Sequence, residues 1–253
     1  MVLPRIHMGG GESMKNLMVA ALAGTAFGVA GTGLGGLLGV LLGQPKPKAL
    51  SCLLNLTGGL MIAVVCFELL PQAYAMHAPM GIAGLILGIL SMLLADHLLE
   101  RRMQGKSSMA RAGLLVAAGI ALHNLPEGLA VGSGYAETPS LGIALALMIL
   151  LHDVPEGIAA AVPLRASGSS VRRALAVTVL SGVPTGIGTV IGMGLGGVSA
   201  QTIALCMGLA GGAMLQITTE EMLPRAGELS AWWGATLCLA LGVALGSVVA
   251  LIV

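Results

Sequence analysis

Charge is the scarcest property of this chain. Asp, Glu, Lys and Arg together make up only 9 % of its 253 residues, where a soluble domain carries roughly a quarter. So little charge cannot keep a folded surface in water, which excludes an ordinary soluble globule. The net charge of +1 offers no case for nucleic acid as a partner. Aromatic residues amount to 2 %, too few for a strong interfacial girdle, although Trp232 and Trp233 stand where a membrane anchor belongs. The four cysteines, Cys52, Cys66, Cys206 and Cys238, lie far apart in apolar segments and form no C-x-x-C pair. They read as small core residues. The N-terminus lacks the basic start and small-residue cleavage site of a secretory signal, so the first apolar segment is expected to stay in the mature protein.

What the chain has instead is apolar length. Hydrophobic residues make up 56 % of it, with a mean hydropathy of +0.96. Spanning a bilayer as a helix takes about 20 apolar residues. Eight segments qualify: 17–43, 49–75, 79–100, 110–132, 140–164, 174–197, 201–223 and 231–253. Short polar connectors separate them, and no polar linker divides residues 1–253 into domains. The expected fold is an all-α polytopic membrane protein with a short tail, 1–16, ahead of eight transmembrane helices. Ten of the twelve basic residues fall in odd-numbered loops; only Arg5 and Lys15, in the tail, do not. Basic loops stay on the cytoplasmic side, so both termini are expected outside. A multi-pass protein of the plasma or inner membrane follows.

Two copies of one motif sit within these spans. His123-Asn124-Leu125-Pro126-Glu127-Gly128 and His152-Asp153-Val154-Pro155-Glu156-Gly157 begin 29 residues apart, at 123 and 152. An ionisable group at membrane depth costs about 2.5–3.5 kcal/mol on insertion scales and is seldom kept without a partner or a task. In each copy the His and Glu are four residues apart, one helical turn on one face, so one cation can meet both. Asn124 and Asp153 can add oxygens from the neighbouring face. Pro126 and Pro155 lack the N–H that would bond the carbonyls of Leu122 and Leu151. Gly128 and Gly157 leave room for the two helices to approach each other. Imidazole with carboxylate suits Zn²⁺, and also Fe²⁺, Mn²⁺, Co²⁺ or Cd²⁺.

A second repeat lies further apart. Gly58-Gly59-Leu60-Met61-Ile62 precedes Glu68-Leu69-Leu70-Pro71, and Gly211-Gly212-Ala213-Met214-Leu215 precedes Glu221-Met222-Leu223-Pro224 with the same gap. The second and seventh spans that carry them run in opposite directions. Matched segments of opposite polarity mark the inverted repeats of transporters, here three spans, a central pair and three more. Glu68 then falls near the outer surface and Glu220 and Glu221 near the inner one, as candidate pathway carboxylates.

These motifs resemble the signature of the ZIP (Zrt/Irt-like) family of divalent-metal transporters. The resemblance rests on the H-N-x-P-E-G and H-x-x-P-E-G stretches and on the two E-x-x-P endings. It implies eight spans, a homodimer, and movement of Zn²⁺ or a similar ion into the cytosol by alternating access. It also implies that His123, Glu127, His152 and Glu156 bind the transported metal, with no prosthetic group. Asn124 and Asp153 match positions that help hold a second ion in binuclear members. Those members add a carboxylate in a sixth-span stretch resembling S-G-x-x-E-P. This chain has Ser181-Gly182-Val183-Pro184-Thr185-Gly186, with Thr185 where the Glu would be, which counts against a complete second site. The loop Arg101–Arg111 has no histidine, so a cytosolic metal sensor is not expected there. The resemblance further implies a rigid unit of spans 1, 4, 5 and 6 moving against 2, 3, 7 and 8. The glycine-rich faces of the first and sixth spans fit close packing or such sliding.

The rival function is an intramembrane zinc-dependent metalloenzyme, with His and Glu activating a bound water. It lacks an H-E-x-x-H core, and a symmetric split of ligands suits a site that opens to both sides. A metal-gated receptor would need no inverted repeat. The chain is not expected to be an enzyme.

Overall fold

The computed structural model describes residues 10–43, 45–102, 108–194, 199–230 and 232–252. Every described element is helical: α1 (Gly10–Leu41), α2 (Pro47–Val64), a π-helical turn (Val65–Leu69), α3 (Leu70–Arg102), α4 (Ser108–Glu137), α5 (Pro139–Ala166), α6 (Val171–Gly194), α7 (Ala200–Ile217), a second π-helical turn (Thr218–Met222), α8 (Leu223–Leu229) and α9 (Trp233–Ile252). Six stretches are long and apolar enough to cross a membrane: Met18–Leu41, Pro47–Arg102, Met109–Glu137, Pro139–Ala166, Val171–Gly194 and Ala200–Leu229. Trp233–Val248 is a shorter apolar helix. Leucines such as Leu22, Leu41, Leu151 and Leu180 face outward, as expected where lipid replaces water.

Local chemistry sets the helix ends. Thr138 accepts from the Leu141 N–H at 3.2 Å, and Pro139 follows at the first helical position of α5. Ser199 caps α7 through Thr202 N at 3.2 Å. Gly43 and Gly168, at φ 68° and 85°, end α1 and α5 in the left-handed region that other residues avoid.

The expected loop Ala75–Pro79 shrinks to one residue. His77 alone leaves helical geometry, at φ −163° and ψ 91°, between Leu70 and Arg102. His77 acts as the cap of the helix that follows: its Nδ1 accepts from the Met80 N–H at 3.3 Å, and Pro79 falls in the first turn, where its missing N–H is not needed.

The two π-helical turns were not expected. They span 65–69 and 218–222, the same positions within the two copies of the second repeat, and each ends two residues before a proline, Pro71 or Pro224. A proline denies its i−4 carbonyl a partner and crowds it; a widened turn ahead of it relieves both.

Packing sorts the helices into a set of four and two smaller groups. α1, α4, α5 and α6 pack on one another, α2 packs on α9 and α8, and α3 packs on α7. Glycines zip each group backbone to backbone. A Cβ at Gly59 would strike the Leu239 carbonyl of α9, and one at Gly212 the Leu85 carbonyl of α3. The glycine faces of α1 and α6 meet each other and α5 in the same manner, so they serve close packing within one group. One cysteine expectation fails here. Cys52 and Cys238 are joined in a disulfide between α2 and α9; of the two free cysteines, Cys66 is exposed and Cys206 is partly buried. Their separation of 186 residues hides the pairing from sequence patterns.

Candidate metal centre

The centre of the molecule holds polar side chains that no water reaches. His123, Asn124 and Asp153 are 0 % exposed, Glu156 1 % and Glu127 9 %. α4 presents His123, Asn124 and Glu127, α5 presents Asp153 and Glu156, and α6 faces them with Ser181 and Thr185. The four-residue spacing puts His123 and Glu127 on one face, with His123 Nε2 3.7 Å from Glu127 Oε1. Across the gap to α5, the same nitrogen lies 2.9 Å from Glu156 Oε2. His123, Glu127 and Asp153 each offer a ligand atom within 4.8 Å of the others, a spacing that fits one metal ion. The side chain of His152 lies outside the described residues.

The histidine's orientation carries chemical information. Its Nδ1 stands 3.2 Å from the Gly119 carbonyl, which can only accept, so Nδ1 carries the proton. Nε2 is thereby turned toward the two carboxylates, an arrangement in which imidazole and carboxylates can meet on one cation. A backbone carbonyl fixing one ring nitrogen while the other ligates is the usual way a protein aims a metal-binding imidazole.

Asn124 behaves differently from its neighbour in sequence. Its Nδ2 donates to the Ser181 carbonyl on α6 at 2.8 Å, and its Oδ1 has no hydrogen-bond partner among the described residues. Thr185, 1 % exposed, likewise has a buried Oγ1 without such a partner, while its carbonyl accepts from Thr189 at 2.8 Å. Ser181 spends its hydroxyl on the Thr178 carbonyl at 2.7 Å.

The motif glycines do not serve the contact expected of them. Gly128 lies against the Thr185 carbonyl of α6, and Gly157 against the Thr32 carbonyl of α1. Each motif helix is thus seated on a different outer helix, not pressed onto the other by its glycine. Gly31 supports the site from α1: a Cβ there would meet the Asp153 Cβ at 2.5 Å.

The carboxylates expected along a pathway stand apart from this cluster. Glu68 is half-buried in the first π turn. Glu220 is exposed, and Glu221 is buried in the second π turn. Both line a cavity of about 20 Å³ with Met92, Asp96, Leu115 and Ile217. Arg111 of α4 and Arg225 of α8 hold Glu221, at 3.3 and 3.6 Å. Sequence reasoning took Arg111 only as a loop charge and missed this role; its place twelve residues ahead of His123 on the same helix was the available signal.

A family model described as ZIP Zinc transporter matches residues 102–252, more than half of the chain. The chain belongs to the ZIP family. Among curated relatives, the zinc transporters ZupT of Salmonella newport (strain SL254) and Salmonella typhimurium (strain LT2) are each 32 % identical over 127 residues. The alignment covers 45 % of this chain and 48 % of each relative, so the chain spans about half the length of the curated relatives it matches. The span matched by the family model contains both H-x-x-P-E-G motifs, α6 and the second π turn.

Proposed function

We propose that this ZIP chain carries Zn²⁺, or a similar divalent transition-metal ion, across a cell membrane into the cytosol. The ion is held between α4 and α5 by His123, Glu127, His152 and Glu156, with Asp153 beside them. The observation that carries this reading is the buried convergence of His123 Nε2 with the Glu127 and Glu156 carboxylates from two helices. Such a set, without thiolate, suits borderline divalent ions that must be released as well as bound. Asn124 is engaged by α6, and Thr185 supplies a hydroxyl where binuclear relatives would supply a carboxylate, which favours one ion at a time.

Eight spans complete the reading. A straight helix over the 56 residues from Pro47 to Arg102 would run about 84 Å, far beyond a bilayer core of about 30 Å. The break at His77 therefore divides that stretch into two spans, and α9 supplies the eighth. The basic loops then lie in the cytosol and both termini outside. Exchanging spans 1 with 6, 2 with 7, 3 with 8 and 4 with 5 maps the pairing of helices onto itself, in keeping with a 3+2+3 inverted repeat. Alternating access follows, with Glu68 at the outer mouth and Glu220 and Glu221 at the inner one. Homodimerisation in the plasma or inner membrane belongs to the same reading.

The test is uptake of ⁶⁵Zn²⁺ into proteoliposomes, wild type beside His123→Ala and Glu156→Ala. Saturable uptake lost in both variants supports the reading, and competition by Fe²⁺, Mn²⁺, Co²⁺ and Cd²⁺ ranks selectivity. Wild-type vesicles that gain no more metal than empty ones would sink it.

A further inference from the structure

The boundary between two of these helix groups, the set of four and the α3–α7 pair, differs from the interfaces within them. Inside each group, glycines bring backbones together. Where α4 meets α7, side chains fill the gap instead: Ile217 sits where a Cβ of Gly119 would be. Arg111 bridges this boundary with charge. From α4 its guanidinium reaches Asp96 Oδ1 at 3.5 Å and Glu100 Oε1 at 3.6 Å, both on α3. It also donates to Glu221 Oε1 at 3.3 Å, in the second π turn. Glu221 is 7 % exposed and has one other cation near it, Arg225 Nε at 3.6 Å, which in turn binds the exposed Glu228 at 3.1 Å. Three carboxylates of one helix group converge on a single cation of the other.

We propose that Arg111 is a tethered counter-cation: it ties the two helix groups together at this end, and it yields these carboxylates to the departing metal ion. The proposal rests on the transport reading above. A guanidinium and a divalent ion want the same oxygens, and the two cannot share the space between Asp96 and Glu221. The ion enters by displacing the side chain, and the returning side chain expels the ion. The carboxylates are never left bare, and they never hold the cargo for long. Arginine suits the task because its planar fork of five N–H donors can face several carboxylates at once, which a point-charge ammonium cannot. Arg111 is twelve residues from His123 along α4, about 18 Å, so the latch is distinct from the central ligands.

Purified full-length protein in proteoliposomes tests this, with ⁶⁵Zn²⁺ uptake and equilibrium dialysis against Zn²⁺. The chains compared are wild type, Arg111→Gln, Arg111→Lys, Glu156→Ala and the double variant Arg111→Gln/Glu156→Ala. Arg111→Gln is expected to lower the maximal rate several-fold while the half-saturating concentration stays level or falls. It is also expected to retain an additional Zn²⁺ per chain, which persists in the double variant. Arg111→Lys keeps the charge without the fork, and should restore the wild-type stoichiometry with a rate between those of wild type and Arg111→Gln. A folded Arg111→Gln with wild-type rate and stoichiometry overturns the proposal, as does an Arg111→Lys no better than Arg111→Gln. Should Arg111→Gln fail to fold, Glu100→Gln, at a side chain 63 % exposed, takes its place. A weaker hold on the guanidinium should then raise the rate, and an unchanged rate overturns the proposal. Absence of wild-type uptake would instead defeat the transport reading, while the dialysis arm still reports whether Arg111 and metal compete.

Discussion

The centre of the bundle and its Arg111 end both gather carboxylates, but they balance them in opposite ways. At the centre, Glu127, Asp153 and Glu156 gather around the one imidazole of His123, whose Nδ1 faces a backbone carbonyl. At the other end, Asp96, Glu100 and Glu221 already have Arg111 and Arg225. On the transport reading proposed above, the first arrangement takes a visiting cation, and the second carries its own in arginine side chains. On that reading, the first place holds the metal ion and the second lets it go.

The sharpest way to break that comparison is to remove a central ligand. Glu156→Ala or His123→Ala should cut Zn²⁺ uptake by more than about 100-fold, beyond the range typical of outer-shell partners. Next comes the seating of the ligand helices. Gly128→Val would drive a side chain into the Thr185 carbonyl, and overpacking of this kind costs about 1–3 kcal/mol or more. A lowered melting temperature in detergent should report it. Gly227→Ala, where nothing stands within 4 Å, should melt like wild type or slightly higher, because alanine is the better helix former. A smaller effect is expected at the periphery of the charged end. Arg225→Gln leaves Arg111 on Glu221, and uptake should change by no more than about five-fold, as for a partly exposed pair worth about 1 kcal/mol or less. A larger loss would mean that Glu221 depends on Arg225 and would blur the contrast. The mildest test is chemical. Before reduction, maleimide should label Cys66 and, in detergent-unfolded protein, Cys206, but neither Cys52 nor Cys238. Labelling of all four without reductant would remove the disulfide from the description.

Much of the centre was legible because helices translate sequence spacing directly into faces. His123 and Glu127 had to share one, and the repetition at His152 and Glu156 marked the second helix. The apolar runs were equally plain, since the bilayer fixes their length. What a small residue touches is another matter. Gly128 and Gly157 announced close approach without naming the neighbour, and the helices that fill those places, α6 and α1, are dozens of residues away in sequence. The same limit hid the Cys52–Cys238 pair and the convergence on Arg111. The charge of Arg111 could be read for topology, but its partners lie on a different helix and in a turn more than a hundred residues later. The connector at His77 was overestimated because Pro79 and its polar neighbours look like a loop, and one extended residue sufficed.

The paired π turns set the aim of the segments that follow them. Each adds a residue to its helix and rotates everything downstream, so acquiring one changes which side chains face inward along the rest of that segment. The two occupy matching positions, 65–69 and 218–222, each just ahead of its proline. Deleting one residue from either turn would therefore swing the segment after it, α3 or α8, by about a third of a helical turn and leave the other copy unchanged.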